Sequence, residues 1–229
     1  MKFKIVRVFV LFVLFVVLLR IIINGNNGNN TNEKLDYSSN DADYIDPITV
    51  KNIITQEEAN YLINKTKLGL EDSNTLGGLD INTRKSKQTW IDRKDDNVVK
   101  EIYDRLSKQF NFNVENTESL QIVKYSPGGY YKEHHDSCCD KDEYCEKFIE
   151  NSGQRILTIL IYLNDNFEGG YTKFPNLNLE LKAPKLGALV FHPLEKNGYK
   201  CHPKSLHIGT EVTSGEKFVA NIWVREGKF

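Results

Sequence analysis

The 229-residue sequence is poor in sulfur and has no excess of either charge. It contains one methionine and four cysteines, and its 30 basic side chains are balanced by 31 acidic ones, for a net charge of -1. A nucleic-acid-binding protein normally carries a basic excess or stripe, so this balance gives that class no support. No repeat recurs at the periods of solenoids or propellers. Hydrophobic residues at 40% and charged residues at 27% exclude a wholly disordered or fibrous chain and predict a globular domain.

The N-terminal segment combines early positive charges with a long apolar run. Basic residues within the first seven positions precede the uninterrupted apolar residues 8–19. A bilayer span needs roughly 20 apolar residues, and residues 5–23 approach that length if Arg7 and Arg20 extend to the interfaces. This pattern predicts a signal anchor over residues 1–23, in a single-pass membrane protein whose remaining chain is lumenal, as in the endoplasmic reticulum. A cleaved signal peptide, which would give a secreted protein, is the alternative.

The rest of the chain divides into a linker and one domain. Residues 24–43 are mostly Asn, Gly, Ser and Asp, which cannot bury enough apolar surface to fold, so they predict a flexible polar linker. The globular domain is expected over residues 44–229. It should begin with a helix after the capping box at Thr55, followed by a second helix over Asn97–Phe110 with apolar residues four apart.

Beyond Phe110 the pattern changes to strands. β-branched and aromatic runs bounded by turn residues predict four of them, Leu120–Tyr125, Ile156–Leu163, Ala188–Phe191 and Phe218–Val224. Two helices followed by many short strands indicate helices packed on a mainly antiparallel sandwich or barrel.

Near the C-terminus, a turn sequence predicts a hairpin between Ser205–Gly209 and Lys217–Trp223. Residues of the second arm with the same parity as Lys217 should share its face, including Val219, Asn221 and Trp223. If this face lines a barrel, Lys217 is a cation partly removed from water, which a small carboxylate ligand would compensate. The alternative is a strand-edge lysine in solvent.

All five histidines lie in the strand-rich half of the chain. In an extended strand, His134 and Asp136 share a face while His135 points away. One imidazole, one carboxylate and a distant histidine, with the other positions open, form the arrangement of non-haem Fe(II) oxygenases. The alternative is a solvated loop histidine beside a surface acid. The third ligand would come from one of three later histidines, His192, His202 or His207.

The four cysteines permit two interpretations. A zinc site is one, although the spacing fits no usual pattern. In an oxidising lumen, an even number favours two disulfides, and a bridge between the neighbours Cys138 and Cys139 is unfavourable. That leaves Cys138–Cys145 with Cys139–Cys201, or Cys138–Cys201 with Cys139–Cys145. Either arrangement would tie the loop after Asp136 to the region before His207.

The segment YSPGGYYKEHHD, Tyr125–Asp136, resembles the Y-x-P-G-x-x-Y-x-x-H-x-D signature of prolyl 4-hydroxylases. Further segments resemble the same family in order and with fitting gaps, namely Arg155–Thr158, Tyr162–Leu163, Gly169–Pro175, Gly187–Phe191, His207 with Lys217, and Trp223–Glu226. The resemblance runs from about Ile48 to the C-terminus. It implies a mainly β fold with flanking helices around a double-stranded β-helix, or jelly-roll, core.

The resemblance also implies a metal site. His134, Asp136 and His207 correspond to the family's Fe(II) ligands, which would leave coordination positions for 2-oxoglutarate and O2 as co-substrates. Ascorbate is implied as a further cofactor.

The other implied site residues surround the co-substrate and the substrate. Lys217 would pair with the distal carboxylate of 2-oxoglutarate and act with the metal ligands as a catalytic residue, with hydroxyl support from Tyr125 and Thr172. Arg155 and Trp223 fall where the family places residues close to a peptide substrate.

The activity implied by the resemblance is hydroxylation of peptidyl proline to 4-hydroxyproline in proline-rich or collagen-like chains. Such chains adopt polyproline II, which exposes the proline rings to a groove. The alternatives are a 2-oxoglutarate oxygenase with another side-chain target and a non-catalytic lumenal jelly-roll binding module. The sequence does not predict the oligomeric state.

Overall fold

A computed structural model describes residues 43–229 of the chain, except 76–79, 141 and 197–199. The predicted signal anchor over 1–23 and nearly all of the predicted linker over 24–43 lie outside the described residues. Across the described ranges, no helix is long and apolar enough to cross a membrane.

Three α-helices flank a β-rich core in the described part of the chain. They are α1, Gln56–Lys65; α2, Asn97–Phe110; and α3, Glu143–Ile149. The strands are β1, Ile48–Val50; β2, Glu71–Asp72; β3, Arg84–Lys85; β4, Lys87–Ile91; β5, Leu120–Tyr125; β6, Tyr130–His134; β7, Arg155–Tyr162; β8, Phe167–Gly169; β9, Thr172–Phe174; β10, Leu179–Leu181; β11, Ala188–Phe191; β12, His207–Gly209; β13, Val212–Gly215; and β14, Lys217–Arg225.

The two predicted helices are confirmed, and both have caps that satisfy their first backbone N–H groups. At α1, Thr55 Oγ1 accepts from the Glu58 amide at 3.1 Å, and the Glu58 carboxylate accepts from the Thr55 amide at 2.8 Å. Asp96 caps α2 by accepting from the Val99 amide at 3.1 Å. The side chains on the inner face of α2 are buried, which fixes this helix against the sheet.

The strands form a jelly roll, as expected. The larger sheet has the order β1-β11-β7-β14-β5-β4-β2, the smaller has the order β10-β9-β12-β6-β3, and β13 pairs with β8. Every described strand pairing is antiparallel. The chain passes repeatedly from one sheet to another, for example between β5 and β6, between β6 and β7, and between β10 and β11. One buried cluster joins side chains from both sheets, including Tyr125, Tyr162, Phe174, Phe191 and Val219.

The predicted hairpin between Ser205–Gly209 and Lys217–Trp223 is wrong. Strand β12 pairs with β6 and β9 in the smaller sheet, whereas β14 lies between β5 and β7 in the larger one. The predicted turn, residues 213–216, is instead mostly part of strand β13, which pairs with β8. Gly215, the last residue of β13, adopts a positive φ of 72° with the backbone of Asn166 close by. The chain then enters another sheet, where β14 is buried on both faces.

Candidate active site

The structure brings together His134, Asp136 and His207. Strands β6 and β12 are antiparallel neighbours whose register pairs His134 directly with His207, and the two ring centroids are 4.2 Å apart. Asp136 follows β6 by two residues, and its Oδ1 lies 3.8 Å from the Nε2 atom of each histidine. The three side chains therefore present their ligand atoms to one point, within 4.8 Å of one another.

Hydrogen bonds behind the two histidines select the nitrogen that faces this point. The Nδ1 of His134 lies 2.7 Å from the carbonyl oxygen of Lys132, and that of His207 lies 2.9 Å from the carbonyl oxygen of Ser205. A carbonyl can only accept, so both Nδ1 atoms carry hydrogen and donate. The lone pair of each ring consequently lies on Nε2, which is the tautomer that binds a metal.

The carboxylate of Asp136 is oriented by two donors on the larger sheet. Its Oδ2 accepts from Thr158 Oγ1 at 2.6 Å and from Trp223 Nε1 at 3.1 Å. Both donors act on the same oxygen, so Oδ1 remains directed at the histidines. This division of the two oxygens is the outer support that metal-binding carboxylates commonly have.

The charges of the cluster suit a divalent cation. Burial, followed by the neighbouring His207, lowers the pKa of His134 well below its usual value, so this imidazole is neutral at pH 7. Burial alone would raise the pKa of Asp136, but His207 and His134 lower it to about 2. Two imidazole nitrogens and one carboxylate oxygen form a donor set that fits Fe(II), and His134, Asp136 and His207 would hold it without filling its coordination sphere.

Lys217 lies in the same pocket and is nearly inaccessible to solvent, with 4% of its surface exposed. Its Nζ donates to the carbonyl oxygen of Gly170 at 2.7 Å and lies 5.3 and 5.0 Å from the ring centroids of Tyr125 and Tyr162. Burial, with a contribution from Lys182, lowers its pKa to about 7. No carboxylate of the described residues pairs with this ammonium group, so an anionic ligand would compensate its loss of hydration.

The two predicted hydroxyl groups lie beside Lys217. Tyr125 is its cross-strand partner on β5, and Thr172 lines the same pocket from β9. The Oγ1 of Thr172 is 3.3 Å from the hydroxyl oxygen of Tyr162. Tyr162 belongs to a segment that resembles the family, but the sequence assigned it no role at the site, because an aromatic residue at the end of a strand is typical of a core position.

The two predicted substrate residues have different surroundings. Trp223 lines the pocket. The guanidinium of Arg155 lies 3.7 Å from the Trp223 ring centroid but donates from two nitrogens to the carboxylate of Glu118, both at 2.6 Å. Arg225 donates to the same carboxylate at 2.7 Å. The contact of Arg155 with a peptide stays a prediction, and the structure adds a role in supporting the Trp223 ring.

Two further pocket residues were missed by sequence reasoning. The ring of Tyr131 stacks on His134 with centroids 3.4 Å apart, and the guanidinium of Arg84 lies 4.7 Å from the Tyr131 ring centroid. Tyr131 is one of the tyrosines of the Tyr125–Asp136 motif, so the sequence contained the information needed to find it. Arg84 comes from a two-residue strand that offers no periodicity, and it reaches the pocket only because β3 pairs with β6.

A chain of buried amides also reaches the pocket at Asn221. Its Nδ2 donates to Gln121 at 2.9 Å, Gln121 donates to Gln88 at 2.7 Å, and Gln88 donates to Glu71 at 3.1 Å. The carboxylate of Glu71 only accepts, so it sets one direction for the whole chain.

The cysteines form two disulfides, Cys138–Cys145 and Cys139–Cys201. This is one of the two arrangements that the sequence left open, and its second bridge ties the loop after Asp136 to the region before His207, as predicted. His135, which lies between His134 and Asp136 in the sequence, does not belong to the triad. Its Nδ1 lies 3.0 Å from Ser205 Oγ.

The remaining histidines lie outside the triad. The ring of His202 stacks on the fully buried Tyr44 at 4.4 Å, and its Nδ1 accepts from the Lys204 amide at 3.1 Å. Burial lowers the pKa of His192 to about 4. Within the described residues neither joins a group of three potential metal ligands.

Comparison with known proteins gives prolyl 4-hydroxylases among the relatives of this chain. Residues 120–225 match the model of the 2OG-Fe(II) oxygenase superfamily. A protein of Acanthamoeba polyphaga mimivirus, named "Putative prolyl 4-hydroxylase", is 50% identical over 194 residues, or 84% of this chain and 79% of that protein. The Arabidopsis thaliana protein named "Probable prolyl 4-hydroxylase 10" is 34% identical over 76% of this chain and 66% of its own length.

A solved structure shows the same relationship. The viral collagen prolyl hydroxylase vCPH of Paramecium Bursaria Chlorella virus-1, crystallised as a 2OG complex, has a TM-score of 0.63 to this chain and is 29% identical. The match covers 78% of this chain and 95% of that one. Together with the half-identical viral relative, it establishes that this chain belongs to the prolyl 4-hydroxylases of the 2OG-Fe(II) oxygenase superfamily.

Proposed function

We propose that this chain hydroxylates peptidyl proline at C4, consuming 2-oxoglutarate and O2 with Fe(II) as its cofactor. The observation that carries the proposal is the placement of three metal ligands and one buried, unpaired lysine in a single pocket. A binding module has no need of three converging metal-type ligands beside a buried lysine that lacks a carboxylate partner. The non-catalytic alternative is therefore disfavoured.

Each chain residue has a distinct task in this proposal. His134, Asp136 and His207 would hold Fe(II). Together with 2-oxoglutarate and O2, the bound ion would supply the oxidant that attacks a C–H bond of the substrate. Lys217 pairs with the far carboxylate of the co-substrate and fixes its orientation. The tyrosine rings around Lys217 exclude water, which strengthens that ion pair.

The proposed substrate is a proline-rich or collagen-like chain. The printed name of the viral neighbour, a collagen prolyl hydroxylase, supports this class. The exposed ring of Trp90 lies 6.0 Å from that of Trp223 at the pocket. Two neighbouring aromatic surfaces suit the proline rings that a polyproline II helix presents to solvent.

The direct test incubates the purified full chain with Fe(II), 2-oxoglutarate, O2 and a panel of peptides. Collagen-like repeats, polyproline and a proline-free peptide of equal length should be compared by mass spectrometry and amino-acid analysis. We expect succinate release together with 4-hydroxyproline in the proline-containing peptides. Peptide-stimulated succinate formation with oxygen added to another side chain would instead favour the alternative 2-oxoglutarate oxygenase.

The control for the metal assignment is an exposed residue outside the Tyr125–Asp136 motif. His134→Ala should abolish turnover, whereas Lys67→Ala, at an exposed position, should retain it. Full turnover by His134→Ala would contradict the ligand assignment.

Two proposals concern the surroundings of the enzyme. Ascorbate would serve as the reductant that keeps iron ferrous, which predicts that turnover declines sooner without it. Anchoring of a lumenal domain through residues 5–23 is supported by their apolar composition. Fractionation of the expressed full chain tests it, because a membrane-integrated protein stays in the membrane pellet after alkaline washing.

A further inference from the structure

A second group of metal-type ligands lies beside the triad. A ring nitrogen of His135 and the Sγ atoms of Cys139 and Cys201 are all within 4.8 Å of one another. In the oxidised chain the two sulfurs form a disulfide. Because a thiolate is the form that binds metals, these three residues can hold a cation only after that disulfide is reduced.

Ser205 selects the nitrogen of His135 that is able to bind a cation. The Ser205 hydroxyl oxygen lies 2.7 and 2.8 Å from the carbonyl oxygens of Pro193 and His202, which share its single proton because neither carbonyl can donate. A hydroxyl has one proton, so its contact with His135 Nδ1 at 3.0 Å is one in which Nδ1 donates. The lone pair of His135 therefore lies on Nε2, as in the two histidines of the triad.

The two disulfides differ in exposure. Cys139 is exposed and Cys201 is partly buried, whereas Cys138 and Cys145 are 6% and 7% exposed. A reductant must reach a sulfur atom to attack it, and exposed disulfides are generally the labile ones. The bridge next to His135 is therefore the one that opens first.

We propose that reduction of the Cys139–Cys201 disulfide creates a second metal site, in which both thiolates and His135 bind a borderline or soft cation such as Zn(II). A dithiol reductant forms its own disulfide while the Cys139–Cys201 bond accepts two electrons and two protons. The cation then displaces the two thiol protons. Two thiolates and one imidazole, with water in fourth place, form a known zinc donor set. The triad has a carboxylate and no sulfur, so it prefers a harder cation such as Fe(II).

The site would replace one cross-link with another. Cys139 is three positions after Asp136, and Cys201 is six before His207. A cation held between them connects the same two segments that the disulfide connects in the oxidised chain.

Anaerobic titration of the full chain with Co(II) tests this inference, because thiolate ligation gives a charge-transfer band that a triad of nitrogen and oxygen ligands does not. The oxidised chain should bind one equivalent, at the triad, without that band. The dithiol-reduced chain should bind a second equivalent with the band, and Zn(II) should abolish it. A reduced chain that binds one equivalent without the band overturns the proposal.

Variants identify the ligands. Cys139→Ser should remove the band, and His135→Ala, which keeps both thiols, should weaken the second equivalent at least tenfold. The double variant Cys138→Ala/Cys145→Ala lacks the other bridge and should keep the band. Binding of the first Co(II) equivalent at the triad shows that each variant is folded. The site is contradicted if the band survives Cys139→Ser or is lost in the Cys138→Ala/Cys145→Ala variant. It is also contradicted if His135→Ala binds the second equivalent with unchanged affinity.

Discussion

The indole Nε1 of Trp223 donates to Asp136 Oδ2 at 3.1 Å, so a residue predicted to contact substrate also orients a predicted metal ligand. The bond joins the central strand of the larger sheet to the loop after β6. It leaves Asp136 Oδ1 directed at the two histidines.

Trp223→Phe should therefore weaken metal binding while preserving an aromatic ring. Loss of a hydrogen bond that orients a metal ligand typically lowers affinity by about 10–100-fold. Titration with Fe(II) under anaerobic conditions measures the change. Trp90→Phe is the matched control, because Trp90 is 41% exposed and does not bond to a ligand. Equal metal affinities for the two variants would remove the orienting role of Trp223.

The affinity for 2-oxoglutarate should fall as the pH rises above 7. The pKa of Lys217 in the unliganded protein is lowered to about 7, first by burial and then by Lys182. A carboxylate binds the protonated form, so above that pH binding must be accompanied by proton uptake. The dissociation constant should then rise up to about tenfold per pH unit.

Calorimetry of the metal-loaded chain between pH 6 and 9, in buffers of different ionisation enthalpy, measures both the affinity and the proton uptake. Lys217→Arg is the control, because a guanidinium stays charged across this range. A wild-type affinity that does not change with pH, with no proton uptake, would show that Lys217 is not the partner of the carboxylate.

Glu118→Gln should destabilise the fold strongly. Glu118 accepts from both Arg155 and Arg225, and all three side chains are at most 11% exposed. Removing the carboxylate leaves two buried guanidinium groups without their counter-charge, which costs about 3–5 kcal/mol in the free energy of unfolding. Asp104→Asn, which breaks an exposed pair with Lys100, should cost less than about 1 kcal/mol. If denaturant unfolding shows similar losses of stability for Glu118→Gln and Asp104→Asn, the stabilising role of the buried ion cluster is contradicted.

Gly215→Ala should also destabilise the protein. Gly215 has a φ of 72°, and an added Cβ would lie 2.3 Å from the carbonyl oxygen of Asn166. We expect the free energy of unfolding, measured with denaturant, to fall by about 1–3 kcal/mol. Gly227→Ala serves as the control, since its nearest neighbour would be 3.5 Å away. If the two variants unfold at the same denaturant concentration, the backbone at Gly215 is not constrained as described.

Sequence reasoning was most successful where the information is local. The alternation of side chains along a strand placed His134 and Asp136 on one face, and the same parity rule placed Lys217, Asn221 and Trp223 in one pocket. The boundaries of α2 follow from an apolar stripe and an acidic cap, both contained in one short segment.

It failed where the answer depends on which strands meet. The turn before Lys217 has ordinary hairpin composition, and only the burial of β14 between β5 and β7 decides its partner. Arg84 reaches the site through pairing with a strand more than forty positions later. The disulfide arrangement likewise depends on distances that the fold creates, and α3, with seven residues, was too short to show a period.

The direct pairing of His134 with His207 links iron loading to maturation of the polypeptide. These two imidazoles are far apart in the sequence, and they come together where β12 pairs with β6. Fe(II) held by both imidazoles would therefore bind only after this strand pairing has formed, since a preformed site rarely exists in an unfolded chain.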